Sequence, residues 1–146
     1  MKFNGMMSTS PPPHLDDDAV IARLTELDVF AGASSDELRK IARSGTALSI
    51  PEGWSLIWEK TPADKAYVVL DGTASVHHDH TEVAKIGAGE FIGEMALVTH
   101  RLRSATVVAT TPLWVLHFTR DSVERLRSEV PAFRQEVELS TETRSA

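Results

Sequence analysis

Between Thr46 and Phe118, glycine and proline interrupt the sequence at short, regular intervals, and this punctuation is the feature that most limits the possible folds. The runs between the interruptions are short and rich in β-branched and aromatic residues, which favour strands over helices. Such spacing predicts a mainly β domain, either an antiparallel sandwich or a barrel. The predicted strands are Ala47–Ile50, Ser55–Trp58, Ala66–Leu70, Thr73–His78, Glu82–Ile86, Ser104–Ala109 and Leu113–Phe118.

The clearest local signal within this region is the dipeptide Asp71-Gly72. It lies between Tyr67–Leu70 and Thr73–Val76, two runs with the composition of strands. Asp-Gly tolerates the positive φ angles that a two-residue hairpin turn requires. We therefore predict that these two strands pair with each other as a β-hairpin.

Helical spacing replaces the β pattern on both sides of this region. Acidic residues open the first helical segment, and Ser34 with Glu37 has the spacing of a capping box at the start of the second. Thr119 is a candidate N-cap for a third helix, and Pro131 suits the first turn of a fourth. The predicted helices cover Asp16–Leu27, Ser34–Gly45, Ser122–Val130 and Pro131–Leu139.

A chain of 146 residues has room for one domain with an ordinary core. The N-terminal segment contains Pro11-Pro12-Pro13 and no sustained apolar run, so it resembles neither a signal peptide nor a membrane span. We predict a flexible leader over residues 1–14, one domain over 15–139 and a polar tail over 140–146. The absence of cysteine fits a cytoplasmic location.

Composition also limits the chemistry. The chain has 15 Lys and Arg residues against 21 Asp and Glu residues, and this net charge of −6 disfavours stand-alone binding to nucleic acids or anionic membranes. Disulfides, Cys-ligated zinc sites and cysteine nucleophiles are excluded because there is no cysteine. The sequence lacks a nucleophile elbow, a Walker lysine and a zinc-protease motif, so we expect no enzymatic activity.

The segment from Gly87 to Thr106 has the most distinctive chemistry. Three glycines precede Glu94–Val98, a run that predicts a short helix. Unpaired backbone N–H groups at the start of a helix bind anions such as phosphate. Arg103 follows, and its planar guanidinium can pair with two phosphate oxygens.

Glu94 indicates a second chemical group on the anionic ligand. A carboxylate beside a phosphate site repels the ligand unless it accepts a hydrogen bond from a hydroxyl group, and a ribose 2′-OH is such a donor. Glu94 and Arg103 together therefore indicate a ribose phosphate. From their charge and spacing alone, a structural ion pair or a solvated loop is an equal alternative.

The run Gly93-Glu94-Met95-Ala96-Leu97, followed by Leu102-Arg103-Ser104-Ala105, resembles the phosphate-binding cassette of the cyclic nucleotide-binding domain family. That family includes the sensor domains of cyclic AMP receptor proteins and of protein kinase A regulatory subunits. The resemblance extends, in order, over roughly Leu15 to Leu139. It implies a mainly β fold with flanking helices: an eight-stranded antiparallel jelly-roll β-barrel with an N-terminal helical bundle and C-terminal helices.

The resemblance also implies a role for each cassette residue. The family glutamate matched by Glu94 accepts the ribose 2′-OH, and the arginine matched by Arg103 holds the exocyclic phosphate oxygens, while backbone N–H groups complete the cradle. The implied ligand-binding residues are Gly93, Glu94, Met95, Ala96, Arg103, Ser104 and Ala105. Serine after the arginine, where threonine accompanies a guanine base, favours cyclic AMP over cyclic GMP as the ligand, with no metal.

The resemblance further implies a sensor module in signal transduction whose C-terminal helices swing toward the occupied cassette, and we expect this module to be either stand-alone or a piece of a larger protein. Its effector protein is unknown. Direct DNA binding is not expected, because only a polar tail follows the last predicted helix, and we expect a monomer or weak dimer. Leu102 stands where the family usually has proline, which implies a less rigid loop and weaker binding.

Two alternatives from other classes remain open. A ligand-free jelly-roll scaffold that retained the cassette for interaction with partners would have a similar sequence. A cupin-like metal-binding protein is the other, since Gly72, His78 and His80 match the opening of a cupin motif. The carboxylate expected a few residues later is missing, because Ala84 and Lys85 occupy those places, so a polar hairpin tip is the favoured interpretation of these histidines.

Overall fold

The computed structural model describes residues 16–93 and 102–144. The predicted leader, residues 1–14, lies outside these residues. Glu94, Met95 and Ala96 of the predicted cassette also lie outside them.

Two short helices open the described chain, as predicted. The first, α1 (Asp17–Glu26), begins where the Asp16 side chain accepts a hydrogen bond from the Asp18 N–H at 3.0 Å. After a 3-10 turn over Asp28–Phe30, helix α2 (Ser35–Ser44) begins at a complete capping box. In that box the Ser34 side chain accepts from the Glu37 N–H, and the Glu37 carboxylate accepts from the Ser34 N–H.

The strands form two four-stranded antiparallel sheets, which confirms a mainly β domain with flanking helices. Their bounds are β1 (Thr46–Ile50), β2 (Ser55–Ile57), β3 (Lys65–Asp71), β4 (Ala74–His78), β5 (Thr81–Ile86), β6 (Phe91–Ile92), β7 (Thr106–Ala109) and β8 (Leu113–Thr119). One sheet, here called the inner sheet, has the order β1-β8-β3-β6, and the outer sheet has the order β2-β7-β4-β5. Within the described residues the strands thus make two separate sheets, not the closed barrel that was predicted. Strand β6 was not predicted, because two residues carry no periodicity.

The inner sheet lies between two hydrophobic layers, which explains why β3 is apolar at almost every position. Tyr67 and Val69 pack with residues of the outer sheet, while Val68 and Leu70 pack with the helices. A strand covered on both faces loses the alternation of apolar and polar residues that a half-exposed strand shows. Strand β3 therefore contributes side chains to both hydrophobic clusters of the domain.

The predicted hairpin at Asp71-Gly72 is wrong. Strand β3 pairs with β6 and β8, whereas β4 pairs with β5 and β7, so the two strands that flank the turn belong to different sheets. Gly72 does adopt a positive φ of 99°, and an added Cβ would lie 2.5 Å from the Pro112 carbonyl oxygen. The dipeptide indicates a residue with positive φ, which a turn between two sheets requires as much as a hairpin turn does.

The tight hairpin lies instead between β4 and β5. Asp79 and His80 form its turn, with φ angles of 50° and 67°, and His78 pairs with Thr81 across it. Two central residues with positive φ are the signature of a type I′ turn, whose twist matches that of antiparallel strands. The predicted polar hairpin tip at these histidines is therefore confirmed.

Two C-terminal helices complete the layer of helices that covers the inner sheet. Helix α3 (Arg120–Glu129) is capped by Thr119, whose hydroxyl accepts from the Ser122 N–H at 3.1 Å, and α4 (Pro131–Arg144) follows directly. Phe133 is fully buried and meets Phe91 and Phe118 edge to face, with ring centroids 5.4 and 5.5 Å apart. The helix continues past the predicted end at Leu139, which is itself exposed, because polar residues can extend a helix without an apolar pattern to reveal it.

The N-terminal and C-terminal helices share one core. Apolar side chains of α1, α2, α3 and α4 all belong to the cluster that covers the inner sheet. The helices of the predicted N-terminal bundle are thus part of a common helical layer. Among the described helices, none is both long and apolar enough to cross a membrane.

Candidate phosphate-binding site

Arg103 is the central residue of the predicted cassette, and it is almost completely buried, with 3% of its surface exposed. Its Nη1 donates a hydrogen bond to the Gly93 carbonyl oxygen at 2.7 Å, and its Nη2 donates to the Lys65 carbonyl oxygen at 2.6 Å. A buried charge is costly unless polar partners surround it. These two carbonyls fix the plane of the guanidinium.

The strand pairing explains why these two carbonyls lie close together. Lys65 is the first residue of β3, and Gly93 directly follows β6. The two strands are antiparallel neighbours, with Tyr67 opposite Ile92, so the start of one lies near the end of the other. The Arg103 side chain therefore donates hydrogen bonds to backbone carbonyls of two neighbouring strand ends of the inner sheet.

The backbone around Arg103 is held from the other side by the β2–β3 loop. The Arg103 N–H donates to the Thr61 carbonyl at 2.9 Å, and the Lys60 N–H donates to the Arg103 carbonyl at 2.8 Å. An isolated β-bridge joins Pro62 to Leu102. These contacts restrain the loop at the position where leucine replaces the usual proline, so the missing proline does not leave this end of the cassette unsupported.

Gly93 is required by the position of the guanidinium. Its φ of 82° lies in the left-handed region, which strains any residue with a Cβ. An added Cβ would also lie 2.5 Å from Arg103 Nη1 and 3.3 Å from the Lys65 carbonyl oxygen. Gly93 was predicted as a cradle residue, and the structure adds that it makes room for the arginine.

A tyrosine–histidine pair lies on the sheet behind this site. Tyr67 and His117 meet edge to face with ring centroids 5.5 Å apart. Burial raises the pKa of Tyr67, although the positive charge of Arg103 opposes that shift. Burial, together with the positive charge of Lys65, lowers the pKa of His117. Both shifts favour neutral side chains beneath the buried arginine.

The other predicted site residues divide into two groups. Ser104 is exposed, with its carbonyl oxygen 3.1 Å from His78 Nδ1, and Ala105 is half-buried. Glu94, Met95 and Ala96 lie outside the described residues, so the structure brings together Gly93 and Arg103 only. Sequence reasoning missed Lys60, Thr61 and Lys65 because each contributes a backbone group, which leaves no signal in residue identity.

Comparison with known proteins agrees with this arrangement. The family model of the cyclic nucleotide-binding domain matches residues 47–129, from the second residue of β1 to the end of α3, with the cassette between them. The cAMP-dependent protein kinase regulatory subunit of Aspergillus fumigatus is 32% identical over 121 residues. That alignment covers 82% of this chain and 29% of the relative, so the chain spans less than a third of the relative's length.

Two solved structures share the fold. The regulatory domain of Toxoplasma gondii protein kinase A, crystallised with cAMP, superposes with a TM-score of 0.74 at 23% identity, covering 86% of this chain and 50% of that one. The regulatory subunit of a cAMP-independent protein kinase A from Trypanosoma brucei superposes with a TM-score of 0.76 at 19% identity, covering 86% and 46%. Since the family model covers more than half of the sequence and the two-sheet fold agrees with it, this chain belongs to the cyclic nucleotide-binding domain family.

Proposed function

We propose that the chain is a cytoplasmic, non-enzymatic receptor module that binds cyclic AMP in preference to cyclic GMP. The observation that carries this proposal is the buried guanidinium of Arg103, held in one orientation by the Gly93 and Lys65 carbonyls. A cation held in this way supplies a positive charge of fixed orientation for the exocyclic oxygens of a cyclic phosphate. Hydrogen bonds between charged groups are stronger than neutral ones, especially away from bulk water.

The ligand assignment has separate support. The Toxoplasma gondii domain was crystallised with cAMP, and the Aspergillus fumigatus relative is named for its dependence on cAMP. The Trypanosoma brucei neighbour is described as cAMP-independent, so this fold also occurs in a protein of different dependence. The preference over cyclic GMP rests on Ser104, which follows the arginine where threonine accompanies a guanine base.

We propose that α3 and α4 carry the signal. Phe91 of β6 precedes Gly93 by two residues, and it packs against Phe133 of α4. Val130, at the junction of the two helices, is fully buried in the same core. A shift of the cassette on ligand binding would thus reach the helices through Phe91. The effector is a protein still to be identified, and the module acts as a monomer or weak dimer without contacting DNA.

Thermal unfolding with added nucleotides tests the proposed function. At a concentration of cyclic AMP one hundred times the dissociation constant, the free energy of unfolding should rise by about 2.7 kcal/mol. At equal concentration, cyclic GMP should stabilise the chain less, and linear AMP least of all. No stabilisation by either cyclic nucleotide would favour the ligand-free scaffold, and equal stabilisation by AMP would contradict recognition of the cyclic phosphate.

The sugar contact is tested with the variant Glu94→Gln and two ligands. Loss of the carboxylate should weaken binding of cyclic AMP more than binding of its 2′-deoxy analogue, because only cyclic AMP carries the 2′-hydroxyl that would donate a hydrogen bond to Glu94. Titration calorimetry of both ligands with both proteins measures the difference. Equal losses of affinity for the two ligands would remove the ribose assignment.

A further inference from the structure

Three potential metal ligands meet where the β4–β5 turn approaches the β2–β3 loop. They are Glu59, His78 and Asp79, whose ligand atoms all lie within 4.8 Å of one another. We propose that these three residues bind one divalent transition-metal ion of the zinc type. The inference uses no cassette side chain and does not depend on nucleotide binding.

The short contacts of this cluster give it a defined geometry. His78 Nδ1 lies 2.9 Å from Glu59 Oε2, and His78 Nε2 lies 3.6 Å from Asp79 Oδ2. The Asp79 N–H donates to Glu59 Oε1 at 3.2 Å, and the Glu59 N–H donates to Thr106 Oγ1 at 3.0 Å. Glu59 is thereby held at both its backbone and its carboxylate, while the other two side chains lie at the surface.

One carboxylate oxygen of Glu59 is buried beside His78. The Glu59 side chain is only 17% exposed, and its Oε2 lies 2.9 Å from His78 Nδ1 without a well-aligned hydrogen bond to any described residue. A buried polar atom in that state costs free energy, more so when it carries charge. A metal ion bound by His78 and this oxygen would satisfy it.

The donor atoms indicate the class of metal. One imidazole nitrogen and two carboxylate oxygens suit zinc and similar first-row ions, whereas magnesium and calcium prefer oxygen ligands alone. Ligand atoms about 2.0–2.2 Å from a tetrahedral zinc ion lie roughly 3.4 Å from one another. The ligand atoms of this cluster all lie within 4.8 Å of one another, and the His78 Nδ1–Glu59 Oε2 pair lies at 2.9 Å. Rotation of the exposed His78 and Asp79 side chains can adjust these separations.

The carboxylate of this cluster comes from a different part of the chain than a cupin motif would place it. The carboxylate sought downstream of His80 is absent there, but Glu59 supplies one from upstream, across the sheet. The resulting ligand set uses His78 and does not use His80. It is therefore unlike the cupin motif in both membership and order.

Zinc titration by calorimetry of the full chain, first stripped with a chelator, tests the proposal. The parent should bind one Zn²⁺, and both Glu59→Gln and His78→Ala should weaken binding by about tenfold or more, since even indirect metal-site partners contribute that much. The matched control is His80→Asn, a histidine of the same turn replaced by a residue that tolerates its positive φ. This control should bind zinc as the parent does.

A second measurement covers the case in which a variant loses stability. Substitution of Co²⁺ for zinc should give the visible absorption of a nitrogen- and oxygen-ligated ion in the parent and in His80→Asn, and not in the two ligand variants. Absence of zinc binding by the parent would overturn the proposal. So would an equal loss in His80→Asn and His78→Ala, which would show nonspecific binding by surface histidines.

Discussion

Replacing Arg103 with alanine should weaken binding of cyclic AMP by about a hundredfold, since two charge-assisted hydrogen bonds at about 1.5 kcal/mol each are lost and about 1.4 kcal/mol corresponds to tenfold. The phosphate would then enter a site that lacks the Arg103 guanidinium. Titration calorimetry of the parent and of Arg103→Ala measures this loss directly.

Two further variants separate the geometry of the guanidinium from its charge. Arg103→Lys keeps a positive charge but not the planar fork, so its affinity should lie between those of the parent and Arg103→Ala. Arg39→Ala is the matched control, because Arg39 is an exposed residue of α2 that pairs with Asp36. If Arg103→Ala binds cyclic AMP as tightly as Arg39→Ala, the role assigned to Arg103 is wrong. Unfolding measurements on each variant show whether any loss reflects the fold instead.

Gly93→Ala should damage both stability and binding. The left-handed backbone at residue 93 costs a residue with a Cβ about 1–2 kcal/mol. The new methyl group would also collide with Arg103 Nη1, which lies 2.5 Å from the ideal Cβ position. Displacement of the guanidinium from one aligned charge-assisted hydrogen bond should reduce the affinity for cyclic AMP by about tenfold. Urea unfolding and titration calorimetry measure the two effects.

Gly53→Ala provides the control for backbone strain. Gly53 has a φ of 90°, close to that of Gly93, but an added Cβ there would meet no atom within 4 Å. Its alanine variant should therefore lose comparable stability and keep the affinity of the parent. A similar loss of affinity in both variants would show that general destabilisation, and not contact with Arg103, weakens binding.

Much of the fold follows from local patterns. The capping box at Ser34 and Glu37, the cap at Thr119 and the proline at the start of α4 are read correctly because each acts within a few residues of itself. Strand positions follow from composition and punctuation for the same reason. Strand β6 is too short to show a pattern, and it is the strand that brings Gly93 to Arg103.

The sequence by itself determined the helices, most strands, the positive φ at Gly72 and the presence of an arginine after a glycine-rich run. Only the tertiary structure decided that β3 and β4 enter different sheets, that the carbonyls of Lys65 and Gly93 orient Arg103, and that Glu59 meets His78. The physical reason is the range of the interactions. Backbone preference and amphipathic spacing act between near neighbours in the chain, whereas strand pairing and backbone contacts with a buried charge depend on how distant segments pack together.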